Sequence, residues 1–591
     1  MESKRSKIRE DAKYSYLPDE CWENVLKFMI GDGDDYDDKR NLKSISVVSK
    51  QLFSITNCIR SSLTIYDPTT PFLSRLFHRF TNLTSLDLTH FHGDLDALLH
   101  QISLFPFNHL LSLNISHKPT IPASGLLAFS QNITTLTSLI CSDIDSFKST
   151  HLFLIAQCFP LLEQLELDLT ENLVYDDDGD SCERFFHGIE ALSLSLSKLR
   201  KLNLSGHYYI DDKSIFHLFK NCKLLEDLTV RQSCDITEQG VVYAIREKPT
   251  TLRYLSLPVL IIPQIIDSLC TLKALTNIDL SFCSISDQLL TSIAIQGLPL
   301  NRFSIRQCDG YTYAGLFTLL SNCHSIQHLD LFVVSFLNDR HLIELSSYLV
   351  ALVSLSLRCC YMLTHSPLFT LVRKCPSLTH IKMEYIGANS VLNYYDDYLI
   401  DFGLYPQLKS LYLPNNSWLI DQIIIMFVSA FPNLQLLDLK SCKNISLQAI
   451  VQVLKRCRKI SHLDLSFCNL TSGLNLLEMN FQVPHLKMLN LTSSQVDDAT
   501  LHVISKNCSG LLQLLLINCS RCTHKGVKHV VENCTQLREI NLNNCLNVHT
   551  NVAASMLFSS PSLRKITAPP HIHFTETERK LLRLRQGCIV F

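Results

Sequence analysis

Cysteine is the first residue type here whose numbers and spacing could mean chemistry. The chain carries 23 cysteines in 591 residues, and most of them sit at one of two phases of a single pattern. Cys283, Cys308, Cys360, Cys442, Cys468, Cys519 and Cys545 each close an L-x-x-L-x-L-x-x-C run, of which Leu434 to Cys442 is the clearest copy. Cys222, Cys323, Cys375, Cys457, Cys508 and Cys534 lie three residues before the next such run. An odd number of thiols, with no apolar leader in Met1-Glu-Ser-Lys-Arg-Ser-Lys, predicts reduced cysteines in a nuclear or cytoplasmic setting rather than a disulfide framework. A thiol that recurs at a fixed phase recurs in a fixed environment, that of a small buried apolar group.

Other reactive constellations are sparse. Cys519-Ser-Arg-Cys522 is a lone C-x-x-C inside a repeat, which reads as structure rather than zinc or redox chemistry. The 23 histidines show no ligand spacing, and neither a phosphate-binding glycine loop nor H-E-x-x-H occurs. Asp176, Asp177, Asp178 and Asp180 lack the spacing and terminal Glu of a calcium loop. No metal or cofactor is expected, and the chain reads as a non-enzyme. Cys588-Ile589-Val590-Phe591 fits a C-a-a-X prenylation signal at Cys588, and a buried terminal strand explains the same residues. A membrane association is expected only if Cys588 carries that lipid.

These residues are positioned by a repeat. Apolar triplets of the form L-x-x-L-x-L begin at nineteen places between 83 and 563, about 27 residues apart. The alternation inside each triplet is strand spacing. Between triplets the period changes: Asp497-Asp-Ala-Thr-Leu501-His-Val503-Ile504 has a helix N-cap followed by apolar residues at helical intervals. Each unit is a strand, a turn and a helix that cannot cover its own apolar face, so the units must stack. The predicted fold is α/β: a curved leucine-rich repeat solenoid of about nineteen repeats with a parallel concave sheet, because helices are wider than strands.

Residues between the core leucines of each strand point to the concave face, among them Arg302, Arg306, Asp330, Phe332, Arg358, His380 and Lys382. Arg306 and Arg358 hold the same strand position two repeats apart with Phe332 between them. This is a candidate anion-plus-aromatic patch for a phosphate, a carboxylate or an acidic target segment, against a solvated face of mixed charge. Two intervals are long, 162 to 199 and 378 to 408, and insertions in solenoids map to loops.

The net charge of −2 gives no bulk field for nucleic acid or an acidic membrane, and no run of 18 apolar residues is present. The expected boundaries are a polar tail over 1–12, a helical module over 13–66, a junction with a capping helix over 67–82, repeats over 83–570 and a C-terminal cap over 571–591.

The helical module opens Leu17-Pro18-Asp19-Glu20, a helix start with Pro in the first turn. Trp22, Val25, Leu26 and Met29 follow at helical spacing, then an acidic loop, then Val47-Val48-Ser49-Lys50 and Phe53. About fifty residues is a small core, so part of the module's apolar surface is expected to serve a partner or the end of the solenoid. These residues resemble an F-box, which begins L-P-x-E, continues with an aliphatic pair and ends V-C-[KR]-x-[WF]. Here Ser49 replaces the usual Cys, Phe53 stands for the usual Trp, and the acidic loop lengthens the middle. With the cysteine-type repeats behind it, the chain resembles a plant-type F-box/LRR-repeat protein. The resemblance implies a substrate-recognition subunit of an SCF (Skp1–cullin–F-box) ubiquitin ligase that holds a target protein on the repeat face. It implies Leu17, Pro18, Val25, Leu26, Val48 and Phe53 as the contact with the Skp1-type adaptor. Relatives of this plan hold an inositol phosphate or a small-molecule hormone. The competing expectation is a non-ligase interaction scaffold or an immune or hormone sensor.

Overall fold

The computed structural model describes residues 18–30, 45–169, 182–233, 235–247, 250–257, 268–269, 271–387, 403–470, 481–549, 562–572, 575–577, 580 and 589–590. Leu17, Cys588, the Asp176–Asp180 run and most of both long insertions lie outside them. The chain divides into two compact units, Met1–Leu252 and Arg253–Phe591.

Each of the nineteen triplets carries a three-residue strand that starts two residues after its first apolar position. In the first unit the parallel register runs Leu63, Leu86, Leu113, Leu139, Leu165, Leu202 and Leu228. In the second it begins at Leu255, Ile278, Phe303 and Leu329 and continues through Ile540, Ile566 and Val590. The middle residue of each three-residue ladder strand is buried, so one face of each sheet lies on the core and the other is open. A leucine-rich repeat α/β architecture is what this register describes.

The sheet extends beyond the span expected for the repeats at both ends. Ser62–Thr64 pairs with Ser85–Asp87, so the sheet begins inside the stretch assigned to the helical module. The first position of that rung is held by Arg60, not leucine; its guanidinium lies 5.0 Å from the Phe80 ring centre, and burial, then neighbouring Arg79, lowers its pKa. At the other end Ile589–Val590 pairs with Lys565–Thr567, so the tail adds a strand.

The turn after the strand explains the first cysteine phase. The residue seven places after the triplet start has positive φ in nearly every repeat, including Phe282, Gln307, Val333, Cys359, Ser441, Phe467 and Asn518. For a residue with a Cβ this conformation costs of the order of 1 kcal/mol. Its N–H still extends the ladder, as from Phe282 to the Arg306 carbonyl at 2.8 Å. The next residue supplies a side-chain donor to the preceding repeat: the Cys308, Cys360, Cys442, Cys468 and Cys545 thiols donate to the carbonyls of Leu280, Leu331, Leu413, Leu439 and Leu516 at 2.8–3.1 Å. Asn416 does the same to Met383 at 2.7 Å. Cysteines of the second phase cap helix C-termini, as Cys457 and Cys534 do. These thiols are therefore donors as well as apolar filling.

A second device links the helices. An Asp in the first turn of one helix accepts the backbone N–H and the hydroxyl of the Thr or Ser that caps the next. Asp287 takes Thr312 at 2.8 and 2.6 Å, and Asp498 takes Thr523 at 2.8 and 2.5 Å. The close approach requires glycine: a Cβ on Gly526 would stand 2.4 Å from Asp498 Oδ1. Gly526→Ala should thus destabilise this joint by about 1–3 kcal/mol. Hydrogen exchange should quicken in the helices Asp498–Asn507 and His524–Asn533 while distant repeats stay protected, because each repeat contacts only its neighbours.

Candidate functional site

Among its described residues the helical module carries the helices Asp19–Ile30 and Lys50–Ile59. The Pro18 carbonyl accepts N–H bonds from Cys21 and Trp22, which sets the first turn. Ser49, at the position where an F-box has Cys, caps the second helix by accepting the Leu52 N–H at 3.1 Å. Gln51 Nε2 donates to Asp19 Oδ1 at 2.6 Å and ties the two helices together.

The module is joined to the residues between the first two rungs. A short 3-10 turn, Asp67–Phe72, leads into the helix Leu73–Arg79, which occupies the expected place of the capping helix. Arg79 Nε donates to Asn57 Oδ1 at 2.8 Å, and its guanidinium lies 4.3 Å from the Phe53 ring centre. Asn82 Nδ2 reaches the Cys58 carbonyl at 3.1 Å. A cation against an aromatic face and two hydrogen bonds join the module to the residues that precede the repeats.

The residues implied for the adaptor contact separate into classes. Val25 (46% exposed), Val48 (71%) and Phe53 (41%) present apolar surface to solvent, and Pro18 is exposed. Leu26 is 2% exposed, which places it in the module's own core and not on its surface. Adjacent helical residues point about 100° apart, so an aliphatic pair sends one side chain in and the other out. Phe53 is shared, with Arg79 on its ring. Two residues outside the expected set are the most exposed of all: Phe28 at 90%, one turn after Val25, and Val47 at 80%. The i, i+3 spacing of Val25 and Phe28 was the signal that could have found the former.

The second candidate lies on the open face of the sheet in the second unit. Phe332 is flanked as expected: the Arg306 and Arg358 guanidinium carbons stand 5.4 and 5.2 Å from its ring centre. Each arginine, however, already has a carboxylate from its own face. Arg358 Nε donates to Glu384 Oε2 at 2.8 Å, and Arg306 Nε lies 3.7 Å from Asp330 Oδ2. Arg358 is thus braced by a hydrogen bond, whereas Arg306 Nε and Asp330 Oδ1 are buried without one and meet only as an ion pair. The Cys519 and Cys522 thiols are buried and donate to the Leu491 and Val496 carbonyls at 3.1 and 3.3 Å, the structural role expected of them. Among the described residues no group of three or more His, Cys, Asp or Glu is placed to hold a metal, and no helix is long and apolar enough to cross a membrane.

The chain is 26% identical over 157 residues to the F-box protein SKIP1 of Arabidopsis thaliana, a stretch of 23% of this chain and 52% of that protein. It is 29% identical over 138 residues to F-box/LRR-repeat protein 4 of Bos taurus, covering 23% and 22% of the two chains. The chain resembles F-box/LRR-repeat proteins. The matched stretches span about half or less of the length of these curated relatives. No family model matches the chain. Among solved structures it is similar to an internalin from Listeria monocytogenes (17% identity, TM-score 0.36, 66% of this chain and 95% of that one). It is also similar to a chain of the Rad7–Elc1 complex of yeast (12%, TM-score 0.33, 84% and 87%).

The two kinds of residue in the module should respond differently to substitution. Leu26→Ala should cost about 2–5 kcal/mol of module stability, whereas Phe28→Ser should stay within about 0.5 kcal/mol. Hydrogen exchange over residues 18–30 and 45–59 reads both.

Proposed function

We propose that this chain is the substrate-recognition subunit of an SCF-type ubiquitin ligase, docking a Skp1-type adaptor and its cullin through the helical module and a target protein through the repeats. The observation that carries this reading is the exposed apolar set Val25, Phe28, Val47 and Val48, on a module braced to the repeat array through Arg79. Large apolar side chains grouped on one small element mark a protein contact. A joint made by these contacts suits a subunit that must hold a target at a set distance from catalytic partners. Similarity to F-box and F-box/LRR-repeat proteins supports the same reading. In it the chain is a non-catalytic adaptor, any ubiquitin transfer belongs to its partners, and it works in the nucleus or cytoplasm.

Purified chain should co-elute with a Skp1-type adaptor on size exclusion. Val47→Glu with Val48→Glu should weaken that binding about a hundredfold, since each buried charge opposes roughly a side chain's worth of apolar burial. Circular dichroism should be unchanged, because neither side chain is buried. A wild-type chain that fails to bind any Skp1-type adaptor would instead support the non-ligase scaffold reading.

A further inference from the structure

In the second unit the rim where helices end and strands begin carries charge of one sign. At the end of the helix Leu447–Arg456 the chain reads Lys455-Arg456-Cys457-Arg458-Lys459, and all four cations are exposed. The matching junctions of nearby repeats add Arg373, Lys409 and Lys506, also exposed. Over the junctions 373–379, 404–409, 430–435, 455–461, 481–487 and 506–512 there is no Asp or Glu. The whole chain is at −2, so this excess is local. Hydrogen bonds hold the junctions side by side. Gln407 Nε2 donates to the Val372 carbonyl at 2.8 Å, Asn433 Nδ2 to that of Pro406 at 3.0 Å, and the Val483 N–H to that of Asn507 at 2.8 Å. Arg456 Nη1 donates to Ser429 Oγ at 2.9 Å, which fixes its guanidinium on the rim.

The needs of the repeat do not account for this cluster. A cation in the last turn of a helix complements its dipole, which explains Lys455 and Arg456. Arg458 and Lys459 lie beyond the Cys457 cap and have no such role. The matching residues are His324 and Ser325 after the helix Tyr313–Asn322, and Thr535 and Gln536 after His524–Asn533, so the fold does not require cations there. Among the described residues none of the rim cations named above is in an ion pair. No Phe, Tyr or Trp is exposed along the described rim, so it offers no platform for unstacked bases. Leu404 is the one large apolar side chain exposed there among the described residues, too little to enter a bilayer. The amides of Gln407 and Asn433 are committed to carbonyls of the next repeat and are not placed to read the 2′-hydroxyls of RNA. Five steps between neighbouring helices at about 8–10 Å give a rim of roughly 40–50 Å, the rise of about 12–15 base pairs.

We propose that this rim binds double-stranded DNA along its phosphate backbone, without reading sequence. Lys455, Arg456, Arg458 and Lys459 form the centre of the contact, and Arg373, Lys409 and Lys506 lie toward its ends. Guanidinium forks and ammonium groups match phosphate oxygens, and with no neighbouring carboxylate they are available to them. At about 0.1 M salt a charge acts over about 10 Å, so a local rim attracts a duplex although the whole chain is slightly negative. This activity is separate from adaptor docking, which uses the helical module.

Fluorescence anisotropy of the full chain with a labelled DNA duplex of about 20 base pairs tests this. Affinity should fall linearly with salt on a log–log plot, with a slope of about −4 or steeper, as expected when four or more phosphates are neutralised. Lys455→Glu with Lys459→Glu should weaken binding about tenfold or more and flatten the slope by about 2, with circular dichroism and adaptor binding unchanged. Lys213→Glu, on the helix Asp212–Asn221 of the first unit, should leave DNA binding as it is. No binding at about 50 mM salt, or indifference to the double reversal, would overturn the proposal. So would tighter binding of single-stranded or duplex RNA of the same length. Capture by phosphatidylserine vesicles in place of the duplex would also overturn it and reassign the rim to an anionic membrane surface. A chain that binds its adaptor but no duplex retains the receptor reading and loses this one.

Discussion

The parallel register of one buried aliphatic residue per rung is the constraint on which the rest depends. It fixes Leu63 opposite Leu86 and Leu437 opposite Leu463, and every neighbouring side chain is thereby committed to the core or to the open face. A slip of one residue would exchange the two faces. The strands are only three residues long, so their backbone hydrogen bonds alone do not specify this register. It is completed by the turn that follows. A left-handed residue redirects the chain, and a thiol or amide behind it bonds back to the previous repeat, as Cys442 does to Leu413 and Asn416 to Met383. The first cysteine phase is therefore a hydrogen-bond position as much as an apolar one. A carboxylate between consecutive helix starts, such as Asp287 with Thr312, locks the same register on the helical side.

Function inherits this regularity at two places where it is interrupted. At the front, Arg60 stands where a leucine would begin the rung, and Arg79 bridges to Asn57 and Phe53, so polar and cation–aromatic contacts join the small module to the repeats. Its apolar residues Phe28, Val47 and Val48 are left outward. On the open face of the second unit Phe332 lies between the Arg306 and Arg358 guanidinium groups, with Asp330 and Glu384 beside them.

The repeat was legible in the sequence because its physics is periodic: nineteen triplets announced nineteen strands, and Arg306, Phe332 and Arg358 came together as their phase required. What was hidden was not periodic. The rung at Ser62–Thr64 escaped because Arg60 lacks the first leucine, and its cover, the Phe80 ring, is twenty residues away in sequence. Leu26 was grouped with Val25 because a motif records identity, not the direction in which each helical side chain points. The opposition of Asp330 and Glu384 to the two arginines was invisible because each pair joins separate repeats. Ser49, a departure from the F-box pattern, is explained by its cap on the second helix.

The central claim is that an adaptor covers the outward apolar face of the helical module while the repeats stay open to a target. Hydrogen–deuterium exchange of the chain alone and saturated with a Skp1-type adaptor tests it most directly. The account predicts slowed exchange confined to residues 18–30 and 45–59, with the strands from Arg302 to Tyr412 unchanged. Protection that fell on those strands, or none at all in the module, would contradict it.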